Sequence, residues 1–174
     1  QICLSVDRSV FRNTNLDWVA RLYLHPLEWE QYESLKTPKR KWDWLLGRVA
    51  AKDSIRYWYR TSKKSDWMPH PATLRIEKDS LGRPFCKMSN PDDSDKRLSI
   101  SHSDNHAIAV VSDNECGADL EPIDRRVDEI TNWFLSSREK ELLVDYPSIS
   151  PIAFWCAKES AGKLIGVGLN GRPK

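Results

Sequence analysis

Over residues 37–60 the apolar positions recur at helical spacing. Trp42, Leu45, Leu46, Val49 and Ala50 form one stripe, and Thr37-Pro38 supplies a start signal, so the longest helix of the chain is predicted there with its stripe in the core. Lys39, Arg40 and Lys41 gather at the end where backbone N–H groups lack partners, which suits a phosphate; a solvated basic turn is the other reading. Arg48 and Lys52, one turn apart, are expected to carry that basic surface along the helix. Ahead of it, residues 2–6 read as a strand, and 16–24 fit either strand or helix. Pro26 followed by Leu27-Glu28-Trp29-Glu30 marks a short helix to about Leu35, because proline is tolerated in a first turn and acids suit its positive end. Residues 74–78 alternate apolar and charged, Asp79-Ser80-Leu81-Gly82 turns, and Arg83-Pro84-Phe85 returns, which predicts a hairpin with Arg83 just past its tip.

Residues 89–95 are polar, acidic and built of turn formers, and they mark the expected boundary between an N-terminal half, 1–95, and a C-terminal half, 96–174. Beyond it, 98–100 and 107–111 read as short strands. His102 stands on a polar loop between them, and the turn Ser112-Asp113-Asn114 is expected to bring 116–121 back as an antiparallel partner. Within that return, Gly117-Ala118-Asp119-Leu120-Glu121 puts two carboxylates on one face of an extended strand, since side chains alternate. Buried together, two acids repel unless a cation lies between them, so the pair is a candidate for a hard, oxygen-seeking metal such as Mg²⁺; the solvated face of an edge strand gives the same spacing. Residues 128–135 read as a helix, and Ser136-Ser137-Arg138-Glu139 has the spacing of a capping box ahead of another. A last helix, 152–165, carries Trp155, Glu159 and Lys163 at successive i+4 positions. If that helix meets the strand acids, Asp119, Glu121 and Glu159 make a three-carboxylate cage. Lys158, Lys163 and His102 then complement a phosphorylated ligand, with an exposed charge pair and an ordinary loop histidine as the plain alternatives.

Composition narrows the classes. With 174 residues, 40% apolar and 30% charged, the chain can bury one core or two small ones packed together. A net charge of +2 is too small for a general nucleic-acid binder, so an anion site must come from local clustering. No apolar run is long enough to span a bilayer and the N-terminus has no basic segment ahead of an apolar one, so a cytoplasmic, monomeric protein without membrane or nucleic-acid partners is expected. Cys3, Cys86, Cys116 and Cys156 are scattered and read as reduced structural thiols, which disfavours zinc. The eight tryptophans lie mostly in apolar or helical stretches and are assigned to the core rather than to base stacking.

Three blocks in order carry a resemblance: Ser99-Ile100-Ser101-His102-Ser103, Gly117-Ala118-Asp119-Leu120-Glu121, and Trp155-Cys156-Ala157-Lys158-Glu159-Ser160-Ala161-Gly162-Lys163. Together they resemble the Ser-His-Ser, Gly-x-Asp-x-Glu and Trp-x-x-Lys-Glu-x-x-x-Lys signatures of the 4′-phosphopantetheinyl transferases, in their surfactin-synthetase-activating, pseudo-dimeric form. Gly82-Arg83-Pro84 is similar to that family's Gly-Lys/Arg-Pro segment. The resemblance implies an α+β fold of two similar subdomains related by a pseudo-twofold axis, with the site in the cleft between them. It implies metal ligation by Asp119, Glu121 and Glu159, and coenzyme A contacts from Arg83, Ser101, His102, Lys158 and Lys163, with Arg40 and Arg48 matched more loosely. The implied reaction moves the 4′-phosphopantetheine of coenzyme A to a serine of an apo acyl or peptidyl carrier protein, releases adenosine 3′,5′-bisphosphate and requires Mg²⁺, for which Mn²⁺ can substitute. Asp119, Glu159 and Lys163 are its catalytic residues, with Glu159 as base, and the setting is polyketide, fatty acid or nonribosomal peptide biosynthesis. Family members continue with further strands where this chain stops at Lys174, so a domain cut from a larger synthase is expected. Two other readings stay open: a coenzyme A or nucleotide-binding module without turnover, and a Mg²⁺-dependent phosphohydrolase.

Overall fold

The computed structural model describes residues 1–62, 68–87, 95–123 and 127–169, with nothing said of the side chains of 127–130. It is a mixed α+β fold around one antiparallel sheet in the order β1-β5-β4-β3-β2. The strands are β1 (Ile2–Asp7), β2 (Arg75–Lys78), β3 (Pro84–Lys87), β4 (Lys96–Ser103) and β5 (His106–Ser112). The helices are α1 (Leu16–Tyr23), α2 (Trp29–Ser34), α3 (Pro38–Ser62), α4 (Val127–Phe134), α5 (Ser137–Asp145) and α6 (Pro151–Ile165). The ambiguous stretch 16–24 is helical. Asn15 caps it by accepting from the Asp17 N–H, and Val19 and Ala20 are its buried positions. The predicted boundary falls outside the described residues except for Asp95. Strands from both sides of it pair directly, β1 with β5 and β3 with β4.

α3 lies across one face of the sheet, against β1, β4 and β5. Its predicted stripe is buried as expected, and Ala51, Ser54, Ile55, Trp58 and Tyr59 are buried as well. A helix covered on so much of its circumference has no wide polar face, so Arg48 and Lys52 do not extend a basic surface. They are 8% and 0% exposed. Lys52 donates to Glu28 Oε2 at 2.5 Å and to the Tyr23 carbonyl at 2.7 Å, and Arg48 Nε stands 3.3 Å from Glu28 Oε1. Glu28 also accepts from the His25 N–H, closing the capping box of the 3-10 turn that leads into α2. Burial of Leu45, Leu46, Val49 and Ile55 stabilises this layer by about 1.5–3 kcal/mol per side chain, and Leu45→Ala would cost about 2–5 kcal/mol.

β4 and β5 are joined by a tight turn at Asp104-Asn105, where Asp104 takes φ 51°, a conformation aspartate tolerates. The Ser-His-Ser block therefore belongs to a strand, and His102 is not on a loop. β3 pairs with β4 only through Phe85↔Arg97 and Cys86↔Lys96, so β4 runs on past β3 and its far half has no strand on that side among the described residues. No helix among the described residues is long and apolar enough to cross a membrane.

Candidate active site

The acidic segment is not the predicted strand. Residues 115–121 form no strand and stay out of the sheet, lying instead against the face of β4. Three serines at period two on that face receive them. Ser99 Oγ accepts from the Ala118 N–H at 2.9 Å, Ser101 Oγ donates to Asp119 Oδ1 at 2.8 Å, and Ser103 stands beside Glu121. The segment can lie this close to α6 because residue 117 is glycine. A Cβ there would stand 1.9 Å from the Ser160 carbonyl oxygen.

α6 brings the matching cation. Lys163 Nζ donates to Asp119 Oδ1 at 2.6 Å, to Ser101 Oγ at 3.1 Å and to the Ala118 carbonyl at 3.2 Å. Gly166, left-handed at φ 75°, ends the helix three residues later, and its N–H returns to the Gly162 carbonyl. Burial raises the Asp119 carboxyl, but hydrogen bonds from Lys163 and Ser101 and the lysine charge outweigh it and hold the group below its ordinary range. Glu121 goes the other way: burial and then the Asp119 charge push it up, against Lys163, Ser103 and Trp155. The Cys156 thiol, against both acids, is pushed up to about 11 by burial and by Asp119.

This pair fits a hard cation. Asp119 is 5% exposed at its side chain, and its Oδ2 is buried with no hydrogen-bond partner, while Glu121 bears an acid–acid repulsion that a cation would relieve. Glu159 is half-buried on α6, one turn from Lys163 at Asp119 and one turn from Trp155 at Glu121. The predicted three-acid cage is not assembled, since among the described residues no three of His, Cys, Asp or Glu are grouped to hold a metal.

Beside the acids, where β4 outruns β3, a cavity of about 410 Å³ opens between α3 and α6. Arg48, Arg83, His102 and Lys163 line it, together with Trp44 and Lys78, which sequence reasoning passed over. Arg48 reaches it with its guanidinium 4.6 Å above the Trp44 ring. Arg83, on the β2–β3 hairpin, is steered by Asp79 at 2.9 Å and Glu115 at 3.1 Å, and it donates to the Leu164 carbonyl at the end of α6. Three predicted contacts stay outside, one of them Ser101, which does not line the cavity and is bonded instead to Asp119 and Lys163. Lys158 donates to Glu139 at 2.8 Å and to the Phe134 carbonyl at 2.6 Å, tying α6 to α4 and α5, and Arg40 is exposed at the start of α3 without lining the cavity. Ser103 and Trp155, the neighbours of Glu121 that lower its carboxyl, were missed as site residues; the period-two serines were the readable signal for the first.

The profile of the 4′-phosphopantetheinyl transferase superfamily matches residues 115–173, the stretch that carries both acids and α6. A holo-[acyl-carrier-protein] synthase of Lactococcus lactis subsp. lactis is 39% identical over 88 residues, 51% of this chain and 71% of that protein. Its counterpart in Lactococcus lactis subsp. cremoris is 35% identical over the same shares. Among solved structures, a holo-(acyl-carrier-protein) synthase from Bacillus anthracis in complex with CoA (3′,5′-ADP) covers 63% of this chain and 90% of its own, at 23% identity and a TM-score of 0.49. With the two Lactococcus proteins matched over more than two thirds of their length, the chain belongs to the 4′-phosphopantetheinyl transferase superfamily.

Proposed function

We propose that this protein transfers the 4′-phosphopantetheine of coenzyme A to a serine hydroxyl of an apo carrier protein. The observation that carries the proposal is a junction of opposite charges. A cavity lined by Arg48, Arg83, His102 and Lys163 abuts a buried acid with an unpartnered oxygen, and Lys163 belongs to both. A pyrophosphate diester needs cations along its length and a metal at the reacting phosphorus. Arg83 and Arg48 take the nucleotide end, His102 and Lys163 the pyrophosphate, and Ser101 keeps Lys163 in register with Asp119. Asp119 Oδ2 and Glu121 would hold Mg²⁺ or Mn²⁺, with Glu159 joining them from α6; the ion would neutralise charge on the phosphate oxygens.

The serine oxygen bonds to the β-phosphorus, the bond from that phosphorus to the bridging oxygen breaks, and adenosine 3′,5′-bisphosphate leaves with the electron pair. Glu159 takes the serine proton. No nucleophile from this chain is needed, so catalysis is positioning and charge neutralisation. We assign the surfactin-synthetase-activating, pseudo-dimeric type because one chain supplies both walls of the cavity: α3 and the β2–β3 hairpin from residues 1–95, and β4 and α6 from 96–174. The division into those halves belongs to this proposal.

Mass spectrometry of an apo acyl carrier protein incubated with coenzyme A and Mg²⁺ tests it. A phosphopantetheine mass gain is expected. An unmodified carrier with intact coenzyme A would indicate a binding module, and coenzyme A breakdown alone a phosphohydrolase; either outcome overturns the proposal.

A further inference from the structure

Arg83 carries a guanidinium that is fixed on two sides and open on a third. Its Nε donates to Asp79 Oδ2 at 2.9 Å, and its Nη1 lies 3.1 Å from Glu115 Oε2 and donates to the Leu164 carbonyl at 3.3 Å. Nη2 has no partner among the described residues, and the side chain lines the cavity between α3 and α6. Asp79 is held in turn, because its Oδ1 accepts from the N–H groups of Leu81 at 2.9 Å and Arg83 at 3.0 Å. The arginine stem is confined as well: a Cβ on Gly166 would stand 3.1 Å from Arg83 Cδ. Two carboxylates on one guanidinium leave an excess of negative charge, which a phosphate avoids. Arg97 removes the excess. Its Nη1 lies 3.6 Å from Asp79 Oδ2 and its Nε 3.3 Å from Glu115 Oε1, yet it does not line the cavity. It opens the row 97, 99, 101, 103 on one face of β4, so the face that receives the acidic segment through serines meets residue 115 through an arginine.

We propose that Arg97, Asp79 and Glu115 are positioning residues that act through Arg83 on coenzyme A. The two acids fix the Arg83 guanidinium and leave Nη2 for the ligand, and Arg97 cancels the charge that those acids bring. The inference rests on the transferase function proposed above, in which Arg83 takes the nucleotide end. A free arginine side chain loses much rotamer freedom when it grips a phosphate; one already held by Asp79, Glu115 and the end of α6 loses little, so the contact is stronger. Acids alone would do this at the expense of the charge that attracts the ligand. With Arg97 the four groups balance, and an approaching phosphate meets an oriented donor without facing an acidic patch. A role in stability fits less well. The four side chains are 17–38% exposed, and ion pairs that open to water add little to folding. The arrangement therefore serves placement.

Calorimetric titration with coenzyme A, at about 0.15 M salt so that distant charges are screened, tests the assignment. Asp79→Asn keeps an acceptor for the Leu81 and Arg83 N–H groups but loses the bond to Nε. It is expected to weaken coenzyme A binding about fivefold, although it removes a negative charge near the ligand. Arg97→Gln should weaken it by a similar factor from outside the cavity. In transfer assays both variants should show a raised KM for coenzyme A at an unchanged kcat, and their unfolding midpoints should stay near that of the wild type. In an Arg83→Ala background neither change should add to the loss, because both act through that side chain. Unchanged or tighter binding by Asp79→Asn means that the acid only damps Arg83, and it overturns the assignment while leaving the transferase function standing. Unchanged binding by Arg97→Gln, or a full further loss in the Arg83→Ala background, overturns it as well. Wild-type protein that binds no coenzyme A overturns the function, and the positioning role with it.

Discussion

Two charged clusters among the described residues have opposite balances. Around Glu28 one carboxylate faces two cations, Arg48 and Lys52; around Asp119 and Glu121 two carboxylates face one cation, Lys163. In the first, Lys52 has no exposure, and His25, Tyr23 and α3 hold its partners, so the cluster fastens α2 to α3 and turns the remaining charge of Arg48 toward the cavity. In the second, Asp119 keeps an unpartnered oxygen and Glu121 is raised by its neighbour. The comparison teaches where ligand charge belongs. On the function proposed above, the surplus cation would meet phosphate and the surplus acids a metal, and the cavity that Arg48 and Lys163 line would join the two.

Breaking the first cluster should have the largest effect. Glu28→Gln leaves two cations buried without a counter-charge and is expected to cost about 3–5 kcal/mol in urea unfolding. Adding Lys52→Met should recover a large part of that loss, which no simple packing defect would allow. Breaking the second should spare the fold, because Lys163 is 31% exposed and reaches water. Glu159→Gln should instead lower transfer about a hundredfold, the usual share of a general base, with coenzyme A still bound in calorimetry. A near wild-type rate would move the base elsewhere. Asp119→Ala should abolish transfer at limiting Mg²⁺ and, because Lys163 and Ser101 lose their acceptor, lower the unfolding midpoint only modestly.

Smaller effects sharpen the contrast. Arg83→Ala and His102→Ala should each weaken coenzyme A binding about tenfold by titration, since each removes a contact to phosphate or nucleotide. The smallest is a difference of sign with pH. Asp119 is depressed from an ordinary value of 3.8, so its contribution is present above that value and lost as pH falls through its lower folded value. Glu121 is raised from 4.5, so its charged form costs stability above its folded value, and protonation relieves that cost as pH falls. Asp119→Asn should therefore flatten the acid limb of an unfolding-versus-pH profile and Glu121→Gln should steepen it. Mg²⁺ affinity should fall as Glu121 takes up its proton.

Much of this was legible in the sequence. The stripe of α3, the 79–82 hairpin, the capping box at Ser136 and the spacing of Asp119, Glu121 and Lys163 are local patterns, and the structure keeps them. Three things were hidden because they depend on partners far along the chain. Arg48 and Lys52 read as surface charge until Glu28, more than one element away, is brought against them. Residues 116–121 read as a strand because their alternation is real, but the face they meet belongs to serines rather than to a strand edge. Lys158 and Lys163 look alike on α6, yet a turn and a half of helix separates a lysine that ties helices from one that faces the acids.

Gly117 works as a gauge block. Its missing side chain sets the gap between the acidic segment and α6, and with it the reach from Lys163 to Asp119. Gly117→Ala adds no charge, removes no ligand and touches no substrate, yet a carbon 1.9 Å from a carbonyl oxygen must drive the two pieces apart. A misfit of about 1 Å is enough to lose a hundredfold in rate. The dimension to which this site is machined is thus held by an atom that is not there.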